Sequence, residues 1–86
     1  LSPPEEAGKH EVYELLIDAG GMLDSQPHTR GAREHLTVSQ GTVELRSGDA
    51  VGTVHAGDTA RYPADVPHRI AATDGPVRAF LVVQDA

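Results

Sequence analysis

Glu34-His35-Leu36-Thr37-Val38-Ser39-Gln40-Gly41-Thr42-Val43-Glu44-Leu45-Arg46 decides the fold class. Leu36 and Val38 alternate with His35, Thr37 and Ser39, a lone Gly41 follows, and apolar residues then resume at Val43 and Leu45. This is the pattern of two short strands, 34–40 and 42–46, joined at a tight turn. It recurs downstream. Runs 51–55, 59–62, 68–72 and 77–84 are divided by Ser47-Gly48-Asp49, Gly57-Asp58, Pro63-Ala64-Asp65 and Thr73-Asp74-Gly75-Pro76. Gly-Asp pairs suit hairpin turns because both residues tolerate positive φ. Short strands at regular spacing predict an all-β domain, an antiparallel sandwich or barrel of about eight strands.

Upstream the pattern is ambiguous. Val12, Leu15 and Leu16 fit helical spacing and Gly20 could end a helix, yet Val12 to Ile17 is equally a strand-sized apolar run. The strands downstream favour strand here too. Residues 1–9, with Pro3, Pro4 and Gly8 among polar neighbours, are expected to form a linker or loosely docked arm, leaving 10–86 as the folded domain. Because the sequence opens on Leu1, it is expected to be a piece of a longer product.

Composition removes several function classes. With 86 residues, two Tyr, one Phe and no Trp, the core is modest, and a homodimer is the expected supplement. The absence of Cys excludes disulfides and thiolate zinc sites, so a bound metal must use His and carboxylate. Thirteen acidic residues against seven Lys and Arg, a net charge of −6, argue against direct nucleic-acid contact from this segment. The run Ala79 to Val83 is far short of the roughly 20 residues that span a bilayer, and no signal peptide is evident. No membrane partner is expected, and the expected location is the cytoplasm. There is no Gly-x-Ser-x-Gly elbow, and Ser2, Ser25, Ser39 and Ser47 fall in loops, an outward strand position or a turn, so nucleophilic catalysis has no support.

Strand parity locates the exceptions. Along 34–40, Glu34 shares a face with Leu36 and Val38, and along 68–72, His68 shares a face with Ile70. Leu81 and Val83 are predicted to point inward as well. His28 and Arg30 have the parity of Glu34. An ionisable side chain on an apolar face is costly unless paired or liganded, so Glu34 and His68 mark a candidate site. His35 and His55 are read as surface residues, His10 in the lead-in has no supporting ligand, and Asp65 is expected to order its proline-flanked loop.

His28, Glu34 and Gly41, followed by Gly57, Asp58, Pro63 and His68, form a spacing that resembles the two-part signature of the cupin superfamily. The resemblance covers about residues 22–83, and His28-x-x-Gly31-x-x-Glu34-His35-Leu36-x-Val38-x-x-Gly41 is most similar to the C-terminal cupin domain of helix-turn-helix (XRE-type) transcriptional regulators. It implies a small double-stranded β-helix, or jelly-roll barrel. Cupins with intact motifs hold a divalent metal with three His and one Glu. In this chain the second His position is Arg30, and an Asn common after the last His is replaced by Ala72.

Two imidazoles and a carboxylate suffice for iron, manganese or zinc, so His28, Glu34 and His68 are candidate metal ligands. Arg30 is a candidate ligand-binding residue beside them, and it could instead pair with Glu34 and fill the vacated position. A metal site, a metal-free polar pocket and a structural remnant are the three outcomes left open. The favoured function is a small-molecule-sensing domain of a transcriptional regulator whose DNA-binding part lies upstream, so that DNA is contacted only through that part. A metal-dependent enzyme of dioxygenase or isomerase type is the alternative, and a ligand-free dimerisation module is the third reading. A helix-turn-helix segment in the upstream coding sequence would favour the first.

Overall fold

The period-two alternation becomes burial in the computed structural model, which describes residues 10–28 and 30–84. Eight strands follow one another: β1 (His10–Ile17), β2 (Met22–Ser25), β3 (Arg33–Gln40), β4 (Thr42–Ser47), β5 (Ala50–His55), β6 (Thr59–Pro63), β7 (His68–Ala72) and β8 (Val77–Gln84). They form two antiparallel four-stranded sheets, ordered β1-β8-β3-β6 and β2-β7-β4-β5. The ambiguous 12–17 segment is strand, paired along its length with β8. The short β2 is not predicted by patterning, because Met22 to Ser25 shows no alternation of its own, and pairing with β7 supplies it. The expectation for 1–9 lies outside the described residues.

The two inner faces supply the core. Leu36, Val38, Ala79, Leu81 and Val83 come from one sheet, and Val43, Leu45, Val54, Ile70 and Ala72 from the other. Leu36, Val38 and Val43 are fully buried. Each such side chain contributes about 1.5–3 kcal/mol relative to exposure, which is how a chain with few aromatics holds two sheets together. The inward parity expected of Leu36, Val38, Ile70, Leu81 and Val83 is the parity found.

Large apolar residues that stay exposed concentrate at one edge. Val12, Tyr13 and Leu16 on β1, Phe80 on β8, and Met22 and Leu23 on β2 are all at least two-fifths exposed, with Val51 apart from them. In β1, Val12 and Leu16 face outward, away from Ile17, which belongs to the core. Among the described residues no helix is long and apolar enough to cross a membrane.

Candidate metal and ligand site

The two sheets bring Glu34 and His68 together from opposite sides of the interior. Glu34 lies near the start of β3, and His68 opens β7 in the facing sheet. Both are buried. His28 arrives from the connection between β2 and β3, which is stitched to the loop after β6. The His28 N–H donates to the Ala64 carbonyl at 2.8 Å, and the Ala64 N–H donates to the Ala32 carbonyl at 2.8 Å. Asp65 accepts the Gly31 N–H at 2.9 Å, the loop-ordering role expected of it.

One carboxylate oxygen is the hub. Glu34 Oε2 lies 2.9 Å from His28 Nε2 and 2.9 Å from His68 Nε2, and the two imidazole centroids are 5.3 Å apart. The other oxygen, Oε1, accepts the Tyr62 hydroxyl at 2.6 Å. His68 Nδ1 lies 2.8 Å from the Val66 carbonyl, which can only accept, so Nδ1 carries the proton. Nε2 then meets the carboxylate either with a second proton or with its lone pair. Two lone pairs 2.9 Å apart repel, so positive charge must lie between Nε2 and Oε2, as a proton or as a metal cation.

The donor set fits a cation. One ligand atom from each of His28, Glu34 and His68 falls within 4.8 Å of the others. Ligands about 2.1 Å from a common ion lie ~3.0 Å apart at right angles and ~3.4 Å apart at tetrahedral angles, so the 2.9 Å spacing of Oε2 from each imidazole is nearest that of an octahedral set. The Val66 carbonyl supplies the outer hydrogen bond that holds a ligating imidazole in one tautomer. The His28 side chain is 36% exposed, while those of His68 and Glu34 are 1% and 2% exposed, so His28 is the solvent-facing member of the cluster.

Arg30 makes no bond to Glu34. It lies in the turn after His28 and is exposed, and among the described residues Glu34 is bonded to His28, His68 and Tyr62 and not to Arg30. Of the alternatives left open for Arg30, the pair with Glu34 is therefore not formed. Three partners, Tyr62, His28 and His68, already surround the carboxylate, and bringing in a guanidinium would add a costly desolvation. His35 is half-buried on the outward face of β3, and His55 is exposed. A polar groove of about 440 Å³, walled by Asp24, Gln26, Arg46, Pro67, His68 and Arg69, borders the cluster on the His68 side, but His28 and Glu34 do not line it. The His–Glu–His convergence is the stronger candidate because it holds the buried polar groups.

Tyr62 is the residue that sequence reasoning missed, counted there only as aromatic content. Its signal was present: Tyr62 immediately precedes the motif's Pro63 and has the inward parity of Ala60. Burial first, then its hydrogen bond to Glu34 and the charge of that carboxylate, push the Tyr62 phenol far above its ordinary value of 10.0. The fold thus favours the neutral phenol. This contribution is intact below about pH 10 and shrinks as pH rises beyond, by ~1.4 kcal/mol per pH unit. Urea midpoints compared at pH 9 and pH 11 are expected to fall, with Tyr62 ionising only as the protein unfolds, followed by tyrosinate absorbance.

The fold, though not the cluster, can be compared with known proteins. Residues 13–83 match the cupin domain family Cupin_2. The chain belongs to that family. The cupin fold is matched by the Cupin_2 domain of an XRE family transcriptional regulator from Enterobacter cloacae, at a TM-score of 0.86 and 24% identity over 100% of this chain and 92% of that one. An HTH_3 family transcriptional regulator from Vibrio cholerae superposes at a TM-score of 0.87 and 23% identity over 100% of this cupin and 48% of its own chain. In sequence, the cupin is 31% identical over 58 residues to the HTH-type transcriptional regulator SutR of Escherichia coli (strain K12). That match takes in 67% of this chain and 33% of SutR, so the cupin spans about a third of the length of that relative. The domain is thus related to cupins that occur in transcriptional regulators.

Proposed function

We propose that this cupin is the small-molecule-sensing domain of a transcriptional regulator, with His28, Glu34 and His68 holding one divalent cation that takes part in ligand capture. The observation that supports the reading most is the buried Glu34 oxygen shared by two imidazoles, one of which is held in the tautomer that turns Nε2 toward it. A structural remnant would be expected to replace such groups with apolar ones, since burying them costs more than packing hydrocarbon. The related regulators favour sensing over catalysis.

In this reading Glu34 supplies the anionic donor, and His68 is fixed by the Val66 carbonyl. His28, on the exposed side, borders the entry, with Arg30 in the adjoining turn. A bound cation would act as a Lewis acid with open positions for an oxygen or nitrogen donor of the effector. DNA would be reached through a separate part of the parent protein.

Purified protein is expected to contain close to one equivalent of zinc, iron or manganese by elemental analysis, and His28→Ala, Glu34→Ala and His68→Ala should each lower it sharply, because three ligands cannot spare one. Wild-type protein that takes up no divalent cation would overturn the metal assignment. Oxygen-dependent turnover of a small molecule by the loaded protein would promote an enzyme instead.

A second copy is the partner assigned to the apolar edge around Val12, Leu16, Met22 and Phe80. Sedimentation equilibrium at micromolar concentration should give the dimer mass, and Leu16→Glu should shift it toward monomer. A monomer at every concentration would remove this partner.

A further inference from the structure

We propose that Tyr62 is a positioning residue that restricts Glu34 to presenting one carboxylate oxygen, and thereby sets which cations the cluster accepts and how many positions remain for a ligand. The inference rests on the reading that His28, Glu34 and His68 hold a cation. Glu34 and Tyr62 are direct partners across the β3–β6 pairing, so their side chains rise side by side on the inner face. The phenol donates to Oε1 at 2.6 Å, within the range of charge-assisted O–H···O⁻ bonds. Tyr62 is only 4% exposed and belongs to the core cluster, so its ring cannot swing away.

The two oxygens of Glu34 therefore have separate duties. Oε2 faces both imidazoles, and Oε1 is engaged by the phenol. For the carboxylate to grip a cation with both oxygens, the Tyr62 bond would have to break and leave a hydroxyl unsatisfied in the core. A carboxylate held to one oxygen occupies one coordination position instead of two, and the difference is left to the effector. The same restraint disfavours calcium, which draws on six to eight oxygens and readily takes carboxylates two oxygens at a time. Smaller cations that accept imidazole lose nothing by it.

The test uses Co²⁺ as a spectroscopic probe on the full chain, wild type against Tyr62→Phe. The variant is expected to bind Co²⁺ about 10- to 100-fold more weakly, the usual cost of removing an outer-shell hydrogen bond. Its visible absorption band should also change shape and lose intensity as Glu34 closes onto the ion with both oxygens, and Ca²⁺ should compete better than it does in wild type. A band superimposable on that of wild type, with affinity within twofold, overturns the positioning role and leaves the metal reading intact. No Co²⁺ binding by wild type overturns both. Should Tyr62→Phe fail to fold, Tyr13→Phe leaves Tyr62 as the sole tyrosine in an otherwise wild-type core. Its near-ultraviolet band should move to shorter wavelength on Zn²⁺ addition, because a cation drawing charge from Glu34 weakens the bond that the phenol donates. An unmoved band at saturating Zn²⁺ overturns the inference.

Discussion

Glu34→Ala is expected to remove cation binding and about 3–5 kcal/mol of folding stability together. The carboxylate receives the Tyr62 hydroxyl on one oxygen and faces His28 and His68 with the other. Truncation leaves the phenol and the His68 Nε2 with no partner in a region closed to water, and each orphaned group costs roughly 1–3 kcal/mol. For a domain of this size that is a fall in Tm on the order of 15–30 °C, measurable by thermal denaturation. Glu34→Gln separates the two effects. Its carbonyl still accepts the phenol and its amide can donate to a neutral imidazole, so most of the stability should return. Cation binding should not return, because the amide lacks the negative charge. A Glu34→Ala protein as stable as wild type would mean that water enters the cluster freely.

Gly41→Ala should cost at least about 3 kcal/mol, while Gly57→Ala should cost only about 1–2 kcal/mol. Both glycines have positive φ, +89° at Gly41 and +93° at Gly57, so both substitutions carry the left-handed penalty. Their surroundings differ. A Cβ at Gly41 would lie 2.5 Å from the Pro76 carbonyl oxygen and 3.2 Å from Val77 Cα, and those backbone atoms cannot yield without moving the turn before β8. A Cβ at Gly57 would meet nothing within 4 Å. Urea midpoints for the two variants should therefore be well separated, and equal midpoints would show that the Gly41 turn relaxes.

The strands were legible because period-two patterning is local. Each of β3, β7 and β8 carries its own alternation, and Gly41, Gly48, Gly57 and Gly75 punctuate the chain at positions where φ is positive. Glu34 and His68 were legible for the same reason, since parity set each on an apolar face before any contact was known. The fate of Arg30 was not legible. The resemblance set it at a ligand position and left a pair with Glu34 open, and the structure leaves it exposed in the turn after His28 with no bond to Glu34. Tyr62 was missed because its role exists only through the β3–β6 register that sets it opposite Glu34. The different demands on Gly41 and Gly57 depend likewise on which distant segment passes close by. By itself the sequence determined the all-β class, the strand faces and the two buried ionisable residues, because these follow from residue order along one strand. The tertiary structure decided which residues meet the carboxylate and the close packing at Gly41, because these depend on which strands pair and how loops far apart in the chain are stitched together.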